Sequence, residues 1–137
     1  MATNRDVISE ILEKYKTIAV VGLSSNPARP SFGVARYMQS AGFRIIPVNP
    51  NETEVLGEKS YPRLEDIPNA HDIEIVDIFR RAHFIPPIVD SAIAIGARVV
   101  WMQQGISNEP AAQKARAASL QVIQDACILI EHRLRLG

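Results

Sequence analysis

Gly22, Ser24, Ser25, Asn26 and Arg29 fall within "GLSSNPARP" (22–30), directly after the apolar run "TIAVV". These residue types suit phosphate chemistry. Glycine lets the chain turn and lets a ligand approach the backbone. The serines and Asn26 offer short donors, and a helix starting near Ser31 aims free N–H groups at the same place. Arg29, held between Pro27 and Pro30, adds a permanent cation whose fork geometry matches phosphate. A plain strand-to-helix turn with a solvated arginine would use the same types, so the surroundings decide the reading.

Three further stretches supply the surroundings. "VNPN" (48–51) follows a second apolar run, and its Pro50 makes a rigid corner beside Val48 and Asn49. "FRRAH" (79–83) carries Arg80 and Arg81, able to neutralise phosphate, and Phe79, able to support a flat base. In "MQQGIS" (102–107), Gly105 permits close backbone approach. Each stretch alone reads as well as a solvated edge or a turn. Four together point to a phosphorylated, nucleotide-like ligand.

The dinucleotide fingerprint is not met. G-x-G-x-x-G would need glycines where Ser24 and Pro27 stand, and an acid at the end of the second strand to grip a ribose diol. There the chain has Val48-Asn49-Pro50 and no acid until Glu52. Two independent features thus argue against NAD, although an NAD(P)-binding oxidoreductase or redox sensor stays as the alternative reading.

The elements that must position these residues alternate along the chain. "TNRDVISEILEKY" opens with Thr3 and Asp6 in capping-box spacing and continues as an apolar helical stripe. Strands are expected at 17–22, 43–50, 72–79, 97–103 and 120–126, where short runs are rich in β-branched residues. Helices are expected from Ser31 to Gly42, over 85–96 with prolines in the first turn, over 108–119 capped by Asn108, and again from Cys127. Residues 51–70 read as a long polar connection with a turn at Gly57 and a short helix near Leu64 to Ile67. This alternation predicts a single domain over 1–137: a Rossmann-like, doubly wound parallel α/β sheet of about five strands in three layers. Counting the strands as they come, the expected order is 3-2-1-4-5, with the ligand crevice between the first and fourth strands.

Composition sets the outer limits. With 15 basic and 15 acidic residues the net charge is zero, which argues against a nucleic-acid binder or a polybasic membrane arm. Cys127 is the sole cysteine, so no internal disulfide forms. No apolar run reaches the roughly 20 residues that span a bilayer, and the start lacks a signal pattern. A soluble cytoplasmic protein is expected.

The stretches "IAVVGLSSNPARPSFGVARYM", "GFRIIPVNPN", "VLGEKSYPRLEDIP", "VDIFRRAHFIPPIVDSAIAIGARVVWMQQGI" and "DACILIEHRL" together resemble the CoA-binding domain family. Its Rossmann-like fold is shared with the amino-terminal domain of the succinyl-CoA synthetase α subunit, and the likeness is to its small stand-alone members. The resemblance implies that Gly22, Ser24, Ser25, Asn26, Pro27 and Arg29 hold phosphates. It places Val48, Asn49 and Pro50 beside the nucleotide and Phe79 and Arg80 at the adenine–ribose end. Gln104, Gly105 and Ile106 would close the opposite side. The implied ligand is coenzyme A or an acyl-CoA, and the implied role is a carrier, sensor or regulatory module. Arg29, with Arg80 or Arg36, would answer the charge of its phosphates. The missing ribose acid then counts mildly for CoA, whose ribose phosphate an acid would repel.

No catalytic residue is assigned. In the synthetase the phosphohistidine lies in a second domain, and His71, His83 and His132 match no such segment, so autonomous ligase activity is not expected. His132 follows Glu131, but helix neighbours do not face each other, which makes a dyad a poor reading. No metal-ligand pattern stands out. Cys127, just past the fifth strand, is weighed as a partner for a mixed disulfide with the CoA thiol.

Overall fold

The computed structural model describes residues 6–136. Its centre is a five-stranded parallel sheet of β1 (Thr17–Val21), β2 (Arg44–Val48), β5 (Ile75–Ile78), β6 (Val99–Met102) and β7 (Gln121–Ile123). Two-residue strands β3 (Glu54–Val55) and β4 (Glu58–Lys59) form a separate antiparallel hairpin. Among the described residues five α-helices complete the fold: α1 (Val7–Lys14), α2 (Pro30–Ser40), α3 (Ile85–Ala94), α4 (Glu109–Ala117) and α5 (Ile128–Arg135). The architecture is the expected Rossmann-like α/β sandwich.

The central strands are buried on both faces, which is why they read as unbroken apolar runs rather than alternating ones. Ala19, Val21, Val76, Ile78, Val100 and Met102 face one layer, where α3 and α4 contribute Ile85, Val89, Ala92 and Ala112. Ile18, Val20, Ile75, Val99 and Trp101 face the other, against Leu12, Val34, Met38 and Ile128. The Trp101 indole N–H donates to the Ala126 carbonyl at 2.9 Å, so its burial leaves no unpaired donor.

Several local signals hold. The Asn108 side chain caps α4 by accepting from the Ala111 N–H at 3.0 Å. Pro86 and Pro87 occupy the first turn of α3. After α2 the chain leaves through Gly42 at φ +100°, and Phe43 N–H returns to the Met38 carbonyl. At α1, Asp6 is itself the cap and accepts from Ser9 N–H at 2.8 Å; Thr3 of the expected box lies outside the described residues.

The strand order is corrected. It runs β2-β1-β5-β6-β7, which is 2-1-3-4-5 in order of occurrence, not 3-2-1-4-5. The reason lies in the connection after β2. It carries the hairpin at 54–59 and only 3₁₀ turns at 64–66 and 70–72, with no full crossover helix to pack on β2. Instead it folds back along the outer edge of β2, where Tyr61 N–H donates to the Pro47 carbonyl at 3.1 Å and Asn49 N–H to the Tyr61 carbonyl at 2.9 Å. The chain then enters β5 on the far side of β1. The reversal point, and with it the crevice, lies between β1 and β5.

Candidate functional site

The ends of β1 and β5 are neighbours, so their loops start side by side. Gly22 N–H donates to the Val48 carbonyl, and Phe79 N–H to the Val21 carbonyl, each at 2.8 Å. These bonds hold the ends of β1, β2 and β5 together at one point. Gly22 has φ +89°, and a Cβ there would lie 2.7 Å from the Phe79 carbonyl oxygen. Only glycine fits. Above this point opens a cleft of about 1030 Å³, lined from the carboxyl ends of β1, β2, β5 and β6. That is where ligands bind on open sheets of this kind.

The loop after β1 is stiffened by its own side chains. Ser24 Oγ accepts from Asn26 N–H at 3.0 Å, and Asn26 Oδ1 accepts from Ala28 N–H at 2.9 Å. Buried Ser31, in the first turn of α2, accepts from Ser24 N–H at 3.0 Å. Asn49 ties in the neighbouring loop: its Nδ2 donates to the Leu23 carbonyl at 3.0 Å while its Oδ1 accepts from Asn51 N–H at 2.9 Å. Ser24, Asn26 and Asn49 therefore act as struts that set the backbone path.

The cleft's charge comes from three arginines. Arg29 caps the start of α2 by position, and Arg80 and Arg81 follow β5. The Arg80 guanidinium lies 4.2 Å from the centre of the Phe84 ring, and its Cδ lies 3.2 Å from where a Gly22 Cβ would stand. Among the described residues none of the three pairs with a carboxylate. The one acid on the wall, Glu52, is engaged elsewhere. Its Oε2 accepts from both the N–H and the hydroxyl of Ser25, at 2.8 and 3.0 Å. Three uncompensated guanidinium groups against one carboxylate make a basin for a polyanion.

Of the expected residues, Gly22, Ser24, Arg29, Val48, Asn49, Pro50, Phe79, Arg80, Gln104, Gly105 and Ile106 line this cleft. Ser25, Asn26 and Pro27 do not; they form the exposed outer turn of the loop. Arg36 points elsewhere, its guanidinium 5.8 Å from the Phe32 ring. Sequence reasoning missed Ser31, Val34, Gln103, Glu52 and Pro62 as wall residues. A signal existed for Glu52: "NPNE" is a turn, with Glu52 N–H donating to the Asn49 carbonyl, and it folds the acid back.

The family described as CoA binding domain matches residues 16–133. The chain belongs to the CoA-binding domain family. Over 125 residues it is 44% identical to the uncharacterized protein YneT of Bacillus subtilis, covering 91% of each chain. A solved structure of a hypothetical protein from Pyrococcus horikoshii superposes with a TM-score of 0.91 at 40% identity, covering 100% of both chains. The chain is also 32% identical to an ADP-forming acetate–CoA ligase II of Archaeoglobus fulgidus, over 69% of its own length but 14% of the ligase.

The remaining candidate groups sort around this CoA-binding domain fold. Half-buried Cys127, at the start of α5, lines the cleft, and beside it Gln103 Oε1 accepts from Ile128 N–H at 3.2 Å. His132 is buried away from the cleft, with Nδ1 2.8 Å from the Tyr37 hydroxyl. Its neighbour Glu131 pairs instead with Arg135 at 2.7 Å, so the two form no dyad. Burial and the nearby Lys16 charge hold the imidazole below its ordinary pKa. His71 and His83 are exposed. On β5, two residues before Phe79, fully buried Asp77 has no partner for Oδ1, and burial pushes its carboxyl well above the usual range. Among the described residues no group of three or more His, Cys, Asp or Glu is placed to hold a metal ion. Nor is any helix among them long and apolar enough to cross a membrane.

Proposed function

We propose that the cleft binds coenzyme A or an acyl-CoA, and that the protein is a carrier, sensor or regulatory module without ligase activity of its own. The observation that carries this reading is the set of three arginines without carboxylate partners, Arg29, Arg80 and Arg81, converging on one cleft from adjacent strand ends. Family membership supports the identity of the ligand, and the name of the ligase relative is in keeping with it. CoA brings a pyrophosphate and a 3′-phosphate, so a cleft with surplus guanidinium charge suits it better than it suits a neutral metabolite. Arg29 and the start of α2 would hold phosphate, Arg80 and Arg81 the remaining charge, and Phe79 the flat base. Gln104, Gly105, Ile106 and Cys127 would border the pantetheine arm.

An NAD(P)-binding redox role is the second reading. It gains from Glu52, an acid on the β2 side of the cleft, where dinucleotide sites place their ribose ligand.

Thermal melts with CoA, acetyl-CoA, NAD, NADP and ATP, repeated on Arg29→Ala, separate the two. At a hundred times Kd a ligand stabilises by about 2.7 kcal/mol, a shift of several degrees. The expected result is a shift with CoA species alone, reduced in Arg29→Ala. A shift with NAD or NADP alone would transfer the assignment to the redox reading. No shift with any ligand would remove the binding function.

A further inference from the structure

Glu52 stands out among the cleft residues. Among the described residues it is the one acid on a wall that otherwise carries three arginines, yet it pairs with none of them. Instead one oxygen takes two donors of the phosphate loop, Ser25 N–H and Ser25 Oγ–H, at 2.8 and 3.0 Å. A backbone N–H and a hydroxyl converging on a single oxygen are donors that a turn can offer to a phosphate oxygen, and Ser25 carries both on the outer turn of the loop, ahead of α2 (Pro30–Ser40). The turn that delivers Glu52 is firmly built. Asn49 accepts from Glu52 N–H through its carbonyl and from Asn51 N–H through Oδ1, and its Nδ2 anchors to Leu23 in the phosphate loop. The carboxylate is thereby held in place, and the other loop donors are already used within the loop: Ser24 N–H on Ser31, Asn26 N–H on Ser24, Ala28 N–H on Asn26.

We propose that Glu52 is an affinity-setting residue of the cleft: from the cleft wall its carboxylate reaches Ser25 on the outer turn at the rim and holds the place of a ligand phosphate oxygen there, and an incoming anion must displace it. The proposal rests on the anion-binding reading of the cleft. Displacement exchanges one anion for another on the same donors, so those donors add little net affinity, and the departing carboxylate stays near as a repelling charge. Affinity then depends on the arginines. A ribose-gripping role predicts the opposite sign, because loss of an acceptor would weaken ligands that carry a ribose.

The test measures Kd by calorimetry for CoA, for ADP and for ribose-free inorganic pyrophosphate. The proteins are the unmodified chain, Glu52→Gln and Glu52→Ala, at low salt and at 1 M NaCl. Tightening of about tenfold is expected in Glu52→Ala for all three probes, with less in Glu52→Gln, whose amide oxygen still accepts from Ser25. Salt at 1 M shrinks the Debye length to about 3 Å, which suppresses plain repulsion but not competition for donors. Tightening that survives at 1 M therefore supports place-holding, and tightening that vanishes there overturns it. Weaker CoA and ADP with unchanged pyrophosphate would make Glu52 a ribose ligand and overturn the proposal. Unchanged affinities for probes that do bind would overturn it while leaving the cleft's function standing. Failure of every protein to bind any probe would take both down.

Discussion

Replacing Gly22 with alanine separates two costs that the fold charges at one position. The first is conformational: at φ +89° a residue with a Cβ is strained by about 1–2 kcal/mol. The second is steric. The new methyl would lie 2.7 Å from the Phe79 carbonyl oxygen and 3.2 Å from Arg80 Cδ. Arg80 is the flexible end of a side chain and can move. The carbonyl belongs to backbone fixed by the Phe79–Val21 bond of 2.8 Å, so β1 and β5 must part at their tips, which costs about 1–3 kcal/mol more. Gly105 is the control. It has nearly the same φ, +83°, but a Cβ there meets nothing within 4 Å. Gly105→Ala should therefore lose the conformational term alone, about 1–2 kcal/mol, and Gly22→Ala about 2–5 kcal/mol. At roughly 4 °C per kcal/mol for a chain of this size, the melting temperatures of the two variants should differ by about 4–12 °C. Urea unfolding, with the slope checked for constancy, gives the same comparison as free energy. Equal losses in the two variants would refute the claim that strand-end crowding, rather than φ alone, requires glycine at the cleft.

Two further predictions concern titration. Asp77 keeps its proton in the folded state through a pH range where the unfolded chain has lost it. Its contribution to stability is therefore complete below the ordinary carboxyl pKa and declines as pH rises toward the folded value. Asp77→Asn should stabilise the protein at pH 7 and flatten that decline in urea melts; a loss of stability at pH 7 would show that the carboxyl makes a favourable contact. His132, with its pKa held down, resists protonation that the unfolded chain accepts, so stability should fall as pH drops from about 7 through the ordinary imidazole range. His132→Gln should lower the melting temperature at pH 7.5 through the lost Tyr37 contact but narrow the gap between pH 7.5 and 5.5; an unchanged gap would clear His132 of that role.

The five sheet strands were legible because burial on both faces leaves a direct mark: β-branched residues without alternation, as in "TIAVV" and "RVVWM". Their order was not. A crossover helix and a long irregular return differ in where they lead the chain, and the residues of 49–74 report only their own turns. The expected loops still meet at one cleft despite this error, because loops at the carboxyl ends of the strands lie on the same side of the sheet whatever the order. The β1–β5 pairing brought "FRR" closer to Gly22 than the expected order allowed. Roles within the loop were harder to read. Ser24, Asn26 and Asn49 look like ligand donors in sequence, yet their side chains bond to nearby backbone; a polar side chain in a turn often serves its own chain first. Ser31 and Gln103 gave no signal, because their burial depends on contacts between elements.

Pro47 has a further consequence. In β2 the bonds Arg44 N–H to Lys16 and Gly22 N–H to Val48 set the residues that face β1, so Pro47 directs its backbone to the free side of the sheet. A proline there has no N–H to offer, and Tyr61 already occupies its carbonyl. At the opposite margin β7 is three residues long. Neither border of the sheet presents the run of open donors and acceptors that another copy needs to add a strand. The molecule can thus keep a highly apolar sheet without inviting edge-to-edge polymerisation, and the device that guards β2 is the same returning segment that redirected the strand order.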